Sequence, residues 1–229
     1  MTTFVLIHGA YQGGWIWKPV VEQLIAKGHR VLAPTLDGCA ERKGQVRAGI
    51  TTESHAAEIA DLLFYEDLKD VVLAGTSTGG MVMARAAELA RERVARVVFA
   101  DALALLNGEA LPDIVKRPTA VNTELTTGPS RQDFETRLFA DLDPAMRGWA
   151  IDRCTPHPIA AMTAPVTLDR FWGLAWKASV IWCRKSSNPP VAHQRRAADR
   201  LKARWHELDT GHYPMLSEPA ALARLIAEG

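Results

Sequence analysis

Four unbroken apolar runs mark the first half of the chain: Phe4-Val5-Leu6-Ile7, Val31-Leu32-Ala33, Val71-Val72-Leu73-Ala74 and Val97-Val98-Phe99-Ala100. Runs of this length, apolar at every position, are the pattern of strands buried on both faces. Helical patterns separate them. One covers residues 19–27, opened by Pro19 and closed by Gly28. A second is capped by Thr51 or Thr52 and carries Ala56, Ile59, Ala60 and Leu63 on one face. A third covers residues 81–90, led in by Gly79-Gly80. The alternation returns with a strand at 179–182, a helix at 191–201, a strand at 205–208 and a last helix that Ser217 can cap. Strand-helix alternation with all-apolar strands predicts an α/β fold, a mostly parallel, doubly wound sheet.

Between Asp101 and Lys177 the alternation stops. This stretch has several prolines, scattered aromatics and a helix-like piece at 131–140, but no buried-strand run. It reads as a small cap insertion over the sheet's C-terminal edge, where open α/β sheets bind ligands. The expected organisation is a core domain of residues 1–101 and 178–229 with a cap insertion of residues 102–177.

At 229 residues and 48% hydrophobic, the chain can bury one large core. Its 27 basic and 26 acidic residues give a net charge of +1 and are interspersed, so no footprint for nucleic acid or an anionic membrane is present. The expected partner is a neutral small molecule; oligomeric state is not legible. Cys39, Cys154 and Cys183 match no zinc spacing and cannot all pair, which points to reduced thiols and a cytoplasmic protein. Met1-Thr2-Thr3 leads straight into a short apolar run, so neither a signal peptide nor a membrane span is expected. No metal or cofactor is expected either.

Gly75-Thr76-Ser77-Thr78-Gly79 fits G-x-S-x-G, a pattern weak by itself. Its setting strengthens it, because it follows a buried strand and opens a helix, as a nucleophile elbow requires. A serine hydroxyl needs a neighbouring base to act as a nucleophile. Of seven histidines, His212 is favoured, since Gly211-His212 directly follows the last strand and parallel strands deliver such loops to one edge. His193 and His206 fall inside predicted elements as surface or packing residues, while His157 lies in the insertion, within reach of a pocket.

With these residues in place, the chain resembles the α/β-hydrolases, most of all the compact branch of plant methylesterases, hydroxynitrile lyases and their bacterial relatives. The markers are Phe4-Val5-Leu6-Ile7-His8-Gly9-Ala10, Gly13-Gly14-Trp15, Thr35-Leu36-Asp37-Gly38 with Glu41-Arg42, the Ser77 elbow, Cys154-Thr155-Pro156 and Gly211-His212. The resemblance implies a serine esterase with an oxyanion hole built from the backbone N–H groups of Ala10 and Thr78. It also implies an acid after the strand at 179–182, yet Cys183-Arg184-Lys185-Ser186-Ser187-Asn188 has no carboxylate. Asp101 is the expected substitute, in a segment resembling the one where haloalkane dehalogenases carry their acid. Asp209 is a weaker alternative. Tyr11 and Tyr213 are candidate substrate contacts, whereas Trp15, Trp17, Trp149, Trp172 and Trp176 are mostly expected to pack.

The expected reaction is hydrolysis of a small, largely apolar carboxylic ester, or a related carbamate or amide, through an acyl-enzyme on Ser77. Cyanohydrin cleavage competes, although Tyr213 stands where those lyases are expected to carry lysine. Dehalogenation is disfavoured by a serine nucleophile. A non-catalytic small-molecule receptor on the same scaffold is the remaining alternative.

Overall fold

The computed structural model describes residues 1–115 and 121–228. Its main sheet has six parallel strands: β1 (Thr3–Ile7), β2 (Arg30–Leu32), β3 (Val71–Ser77), β4 (Val94–Ala102), β8 (Lys177–Cys183) and β9 (Arg204–Leu208). They run in the order β2-β1-β3-β4-β8-β9. Every strand predicted from an apolar run is present, most of them longer than the run itself. Backbone pairing extends a strand into polar positions that carry no hydrophobic signal.

The helices cover both faces of this sheet. Helix α1 (Lys18–Ala26) follows a 3₁₀ turn at Gly14–Trp17 and carries a proline in its first turn. Helix α2 (Thr52–Tyr65) is capped by Thr51, whose Oγ1 accepts from the Ser54 N–H at 3.2 Å while Ser54 Oγ accepts from the Thr51 N–H at 2.9 Å. Of the two threonines that sequence offered, Thr51 is the cap. Helix α3 (Gly79–Leu89) leaves the C-terminal end of β3. The final helix spans Pro219–Glu228, but Ser217 does not cap it. The Ser217 hydroxyl instead meets Thr210 Oγ1 at 2.5 Å and donates to the Tyr213 carbonyl at 3.2 Å, bracing the loop between them.

Among the described residues, the segment between β4 and β8 holds three short strands that the sequence pattern did not predict. These are β5 (Val121–Asn122), β6 (Thr126–Gly128) and β7 (His157–Pro158), paired antiparallel. Two- and three-residue strands are too short to show periodicity. The helix-like piece at 131–140 is an α turn, Arg131–Asp133, running into a π turn, Phe134–Leu138.

Buried polar groups tie this segment to the core. Glu88, 2% exposed on α3, accepts from the Phe171 N–H at 3.0 Å and pairs with Arg85. At the other end, Glu109 is bridged bidentately by Arg196 at 2.6 and 2.7 Å, and the Ala104 N–H donates to His193 Nε2 at 2.9 Å. His193 is thus a buried packing residue, while the half-exposed His206 sits on the edge strand β9.

Helix α3 lies so close to β1 that a Cβ on Gly79 would come within 2.5 Å of the Ile7 and His8 carbonyl oxygens. Backbone cannot yield as a side-chain tip can, so Gly79→Ala is expected to cost about 1–3 kcal/mol. Each kcal/mol lowers Tm by about 2–4 °C in a chain of this size. Gly148→Ala is the control: its added methyl meets nothing within 4 Å, and the exchange inside the Pro144–Ile151 helix is expected to leave Tm unchanged or raise it.

Buried histidines, His8, His55 and His193, make the fold acid-sensitive. The His8 ring accepts from the Leu36 N–H through Nε2 at 3.0 Å and donates from Nδ1 to the Gly9 carbonyl at 2.8 Å, a neutral tautomer. Burial holds His8 at about 4, against an ordinary 6.5, and does the same to His193. The unfolded chain therefore binds more protons between about pH 6.5 and 4, and stability is lost as pH falls through that window. Urea midpoints are expected to fall between pH 7 and pH 5, and the fall to be smaller in His8→Gln.

Candidate active site

All of the candidate chemistry sits at the C-terminal edge of β1, β3, β4, β8 and β9. Ser77 ends β3 with φ +51°, the left-handed region that a non-glycine residue rarely occupies. Thr78 then caps α3, at a helix end whose first N–H groups have no partner inside the helix. Ala10 follows β1 on the same edge and is 4% exposed. Its loop is fixed on both sides: the Gly9 N–H donates to Gln12 Oε1 at 3.3 Å, and the Tyr11 carbonyl accepts from the Thr155 N–H at 2.9 Å. Tyr11 is itself left-handed, with φ +70°.

Asp101 owes its position to an irregularity in the sheet. Thr76 pairs with Ala100, but Ser77 pairs with Ala102, so Asp101 is an extra residue in β4 and takes φ +46°. Such a bulge re-aims a side chain at the end of a strand. Here it turns a fully buried carboxylate toward the loop after β9. Asp101 Oδ2 lies 2.6 Å from His212 Nδ1. Its Oδ1 accepts from the Gln194 side-chain amide at 2.7 Å and from the Cys183 N–H at 3.3 Å.

His212 rides on a loop held from several sides. The Gly211 N–H donates to Asp141 Oδ2 at 3.0 Å, and the Lys185 N–H donates to the Thr210 carbonyl at 3.1 Å. Ser186 Oγ lies 3.5 Å from His212 Nδ1, a second polar neighbour for the same nitrogen.

Ser77, His212 and Ala10 line one cavity of about 70 Å³. Tyr11 and Tyr213 are also in its wall, together with Leu103, Leu111, Leu138 and Pro189. Among the described residues, the lining is apolar apart from Ser77, His212, Asn188, Arg137 and the hydroxyls of the two tyrosines; the Arg137 guanidinium stands 3.7 Å from Asp133. The π turn supplies both Arg137 and Leu138 to this wall, and sequence reasoning identified neither.

Other candidates lie elsewhere. His157 is buried behind Tyr11, its Nδ1 3.4 Å from Cys39 Sγ, and does not reach the cavity wall. Asp209 pairs with Lys185 and Arg184 at the surface. None of the five tryptophans singled out above lines the cavity. All three cysteines are unpaired, and burial raises the Cys39 and Cys154 thiols to about 12. Among the described residues, no group of three or more His, Cys, Asp or Glu is set to hold a metal, and no helix is long and apolar enough to cross a membrane.

The chain is similar to known proteins over most of its length. A carbendazim hydrolyzing esterase from Nocardioides sp. (strain SG-4G) is 29% identical over 99% of this chain and 99% of its own. Methylesterase 3 of Arabidopsis thaliana is 31% identical over 61% of this chain and 51% of its own. Two solved structures share the fold. An extracellular alpha/beta-hydrolase from a Paenibacillus species matches with TM-score 0.81 at 24% identity, covering 100% of this chain and 98% of that one. A pyrethroid hydrolase from Sphingobium faniae JZ-2 matches with TM-score 0.81 at 22% identity, covering 99% and 96%. The model of the alpha/beta hydrolase family matches residues 4–225, and with the parallel sheet and the serine elbow on its C-terminal edge, the chain belongs to that family.

Proposed function

We propose that this protein is a serine hydrolase that cleaves a small, largely apolar carboxylic ester, or a related carbamate or amide, through an acyl-enzyme. The observation that carries the reading is the 2.6 Å contact between Asp101 Oδ2 and His212 Nδ1, made by a histidine that shares a cavity with Ser77 and Ala10. A carboxylate on Nδ1 fixes the tautomer that leaves Nε2 free as a base. Ser77 Oγ attacks the carbonyl carbon while Nε2 takes its proton. The backbone N–H groups of Ala10 and Thr78 stabilise the oxyanion, aided by the N-terminal end of α3. His212 then protonates the leaving group, and a water activated by the same ring releases the acid.

Names of relatives point the same way, since the carbendazim hydrolyzing esterase aligns over nearly the full length of both chains. The narrow apolar cavity favours short or compact acyl groups, with Tyr11 and Tyr213 as substrate contacts. Tyr213 supplies no ammonium beside His212, which argues against cyanohydrin cleavage. Unpaired thiols, two of them buried, suit a cytoplasmic enzyme.

Two experiments test the roles. A fluorophosphonate should label Ser77, and Ser77→Ala should lower kcat for p-nitrophenyl acetate on the order of 10⁵–10⁶-fold with an unchanged melting curve. Retention of a tenth of the turnover overturns the nucleophile, and absence of labelling favours a receptor. Asp101→Asn should lower kcat by up to about 10⁴-fold. Because Ser186 Oγ already stands 3.5 Å from Nδ1, adding Ser186→Asp to that variant should restore part of the loss.

A further inference from the structure

We propose that Gln194 is a positioning residue for the triad: it clamps the unused oxygen of Asp101 so that the other oxygen stays on His212. The inference rests on the triad reading given above and concerns how an acid carried on β4 is kept in place.

Gln194 lies on the Val191–Leu201 helix and is 1% exposed. Its amide nitrogen makes two hydrogen bonds, donating to Asp101 Oδ1 at 2.7 Å and to the Pro189 carbonyl at 3.1 Å. Both partners are acceptors only. An amide turned the other way would set Oε1 against two oxygens, so the environment fixes the orientation. The two amide hydrogens are thereby spent on two points of the site, the carboxylate and Pro189 in the cavity wall.

A carboxylate on a bulged strand end is free to rotate about χ2 unless both oxygens are engaged. Oδ2 has His212; Oδ1 has the Cys183 N–H at 3.3 Å and the shorter Gln194 contact. Gln194 thus acts through Asp101, not on substrate. A neutral donor suits this place, because an Arg or Lys would compete with the imidazolium for the same charge.

The experiment compares Gln194→Met and Gln194→Asn in the purified enzyme with a p-nitrophenyl ester. Gln194→Met keeps the length and removes both donors. It should lower kcat roughly 10²-fold, the scale of a misplaced catalytic group, with KM within about twofold of wild type. The loss should largely vanish in an Asp101→Asn background, since residues that act as one unit are not additive. Gln194→Asn keeps the amide but is one methylene short of Asp101, and should show the same loss. A merely structural residue would lower Tm without the split between kcat and KM and without the non-additivity. Wild-type kcat in a folded Gln194→Met or Gln194→Asn, or full additivity with Asp101→Asn, overturns the proposal. A harmless Asp101→Asn would overturn the triad reading itself, and this proposal with it. Should Gln194→Met fail to fold, Gln194→Asn in the same cycle decides.

Discussion

The site depends on how closely the backbone at the end of β1 approaches the start of α3. Gly79 admits no side chain there, because the Ile7 and His8 carbonyls occupy the space a Cβ would need. This contact sets the angle at which the chain leaves β3. With that angle set, Ser77 is held in a left-handed conformation at the apex, while Ala10 on the neighbouring strand end is brought beside it. Neutral His8 belongs to the same arrangement: its ring joins the Leu36 backbone to the end of β1 without placing a buried charge next to the Ala10 loop.

Three non-glycine residues with positive φ converge on the cavity region: Tyr11, Ser77 and Asp101. Ser77 and Asp101 lie at the ends of parallel strands, and Tyr11 in the loop that follows β1. Strained backbone of this kind persists only where surrounding structure over-determines it. Here the restraints are identifiable: the Thr155 N–H on the Tyr11 carbonyl, the tight start of α3 beyond Ser77, and the β4 bulge whose carboxylate is engaged at both oxygens. The segment between β4 and β8 thus shapes the site, since Thr155 braces the Ala10–Tyr11 loop and Asp141 braces the loop that carries His212.

What sequence revealed follows from what leaves a trace in it. Continuous apolar runs identify strands buried on both faces, and Ser77 and His212 stand at strand ends where a parallel sheet must bring them together. Asp101 was legible as a residue at the end of a strand, but the bulge that turns it toward His212 is a property of register, set by β3 as much as by β4. Strands of two or three residues carry no period, and neither does a π turn, so Arg137 and Leu138 went unidentified as cavity wall. Gln194 did leave a signal. It shares the buried face of its helix with Ala197, Ala198 and Leu201, and a glutamine on such a face needs a polar partner inside the protein.

The location of the Asp101 carboxylate follows from sheet geometry. β4 and β8 are hydrogen-bonded neighbours, and adjacent strands lie about 4.8 Å apart. Both end on the edge where His212 arrives from β9, so one ring nitrogen is within reach of a side chain from either strand. Asp101 meets it from β4 at 2.6 Å, while Ser186, beyond the end of β8, stands at 3.5 Å. The resemblance places the acid on the β8 side, and here a hydroxyl occupies that side. A carboxylate on both strands would put two like charges around a single imidazole, raising the pKa of one acid and trapping the ring as imidazolium. The arrangement therefore favours one acid at a time. With the carboxylate on β4, the loop after β8 carries a neutral, hydrogen-bonding residue, and the carboxylate takes its remaining support from the N–H of Cys183, the last residue of β8, and from Gln194 on the helix that follows.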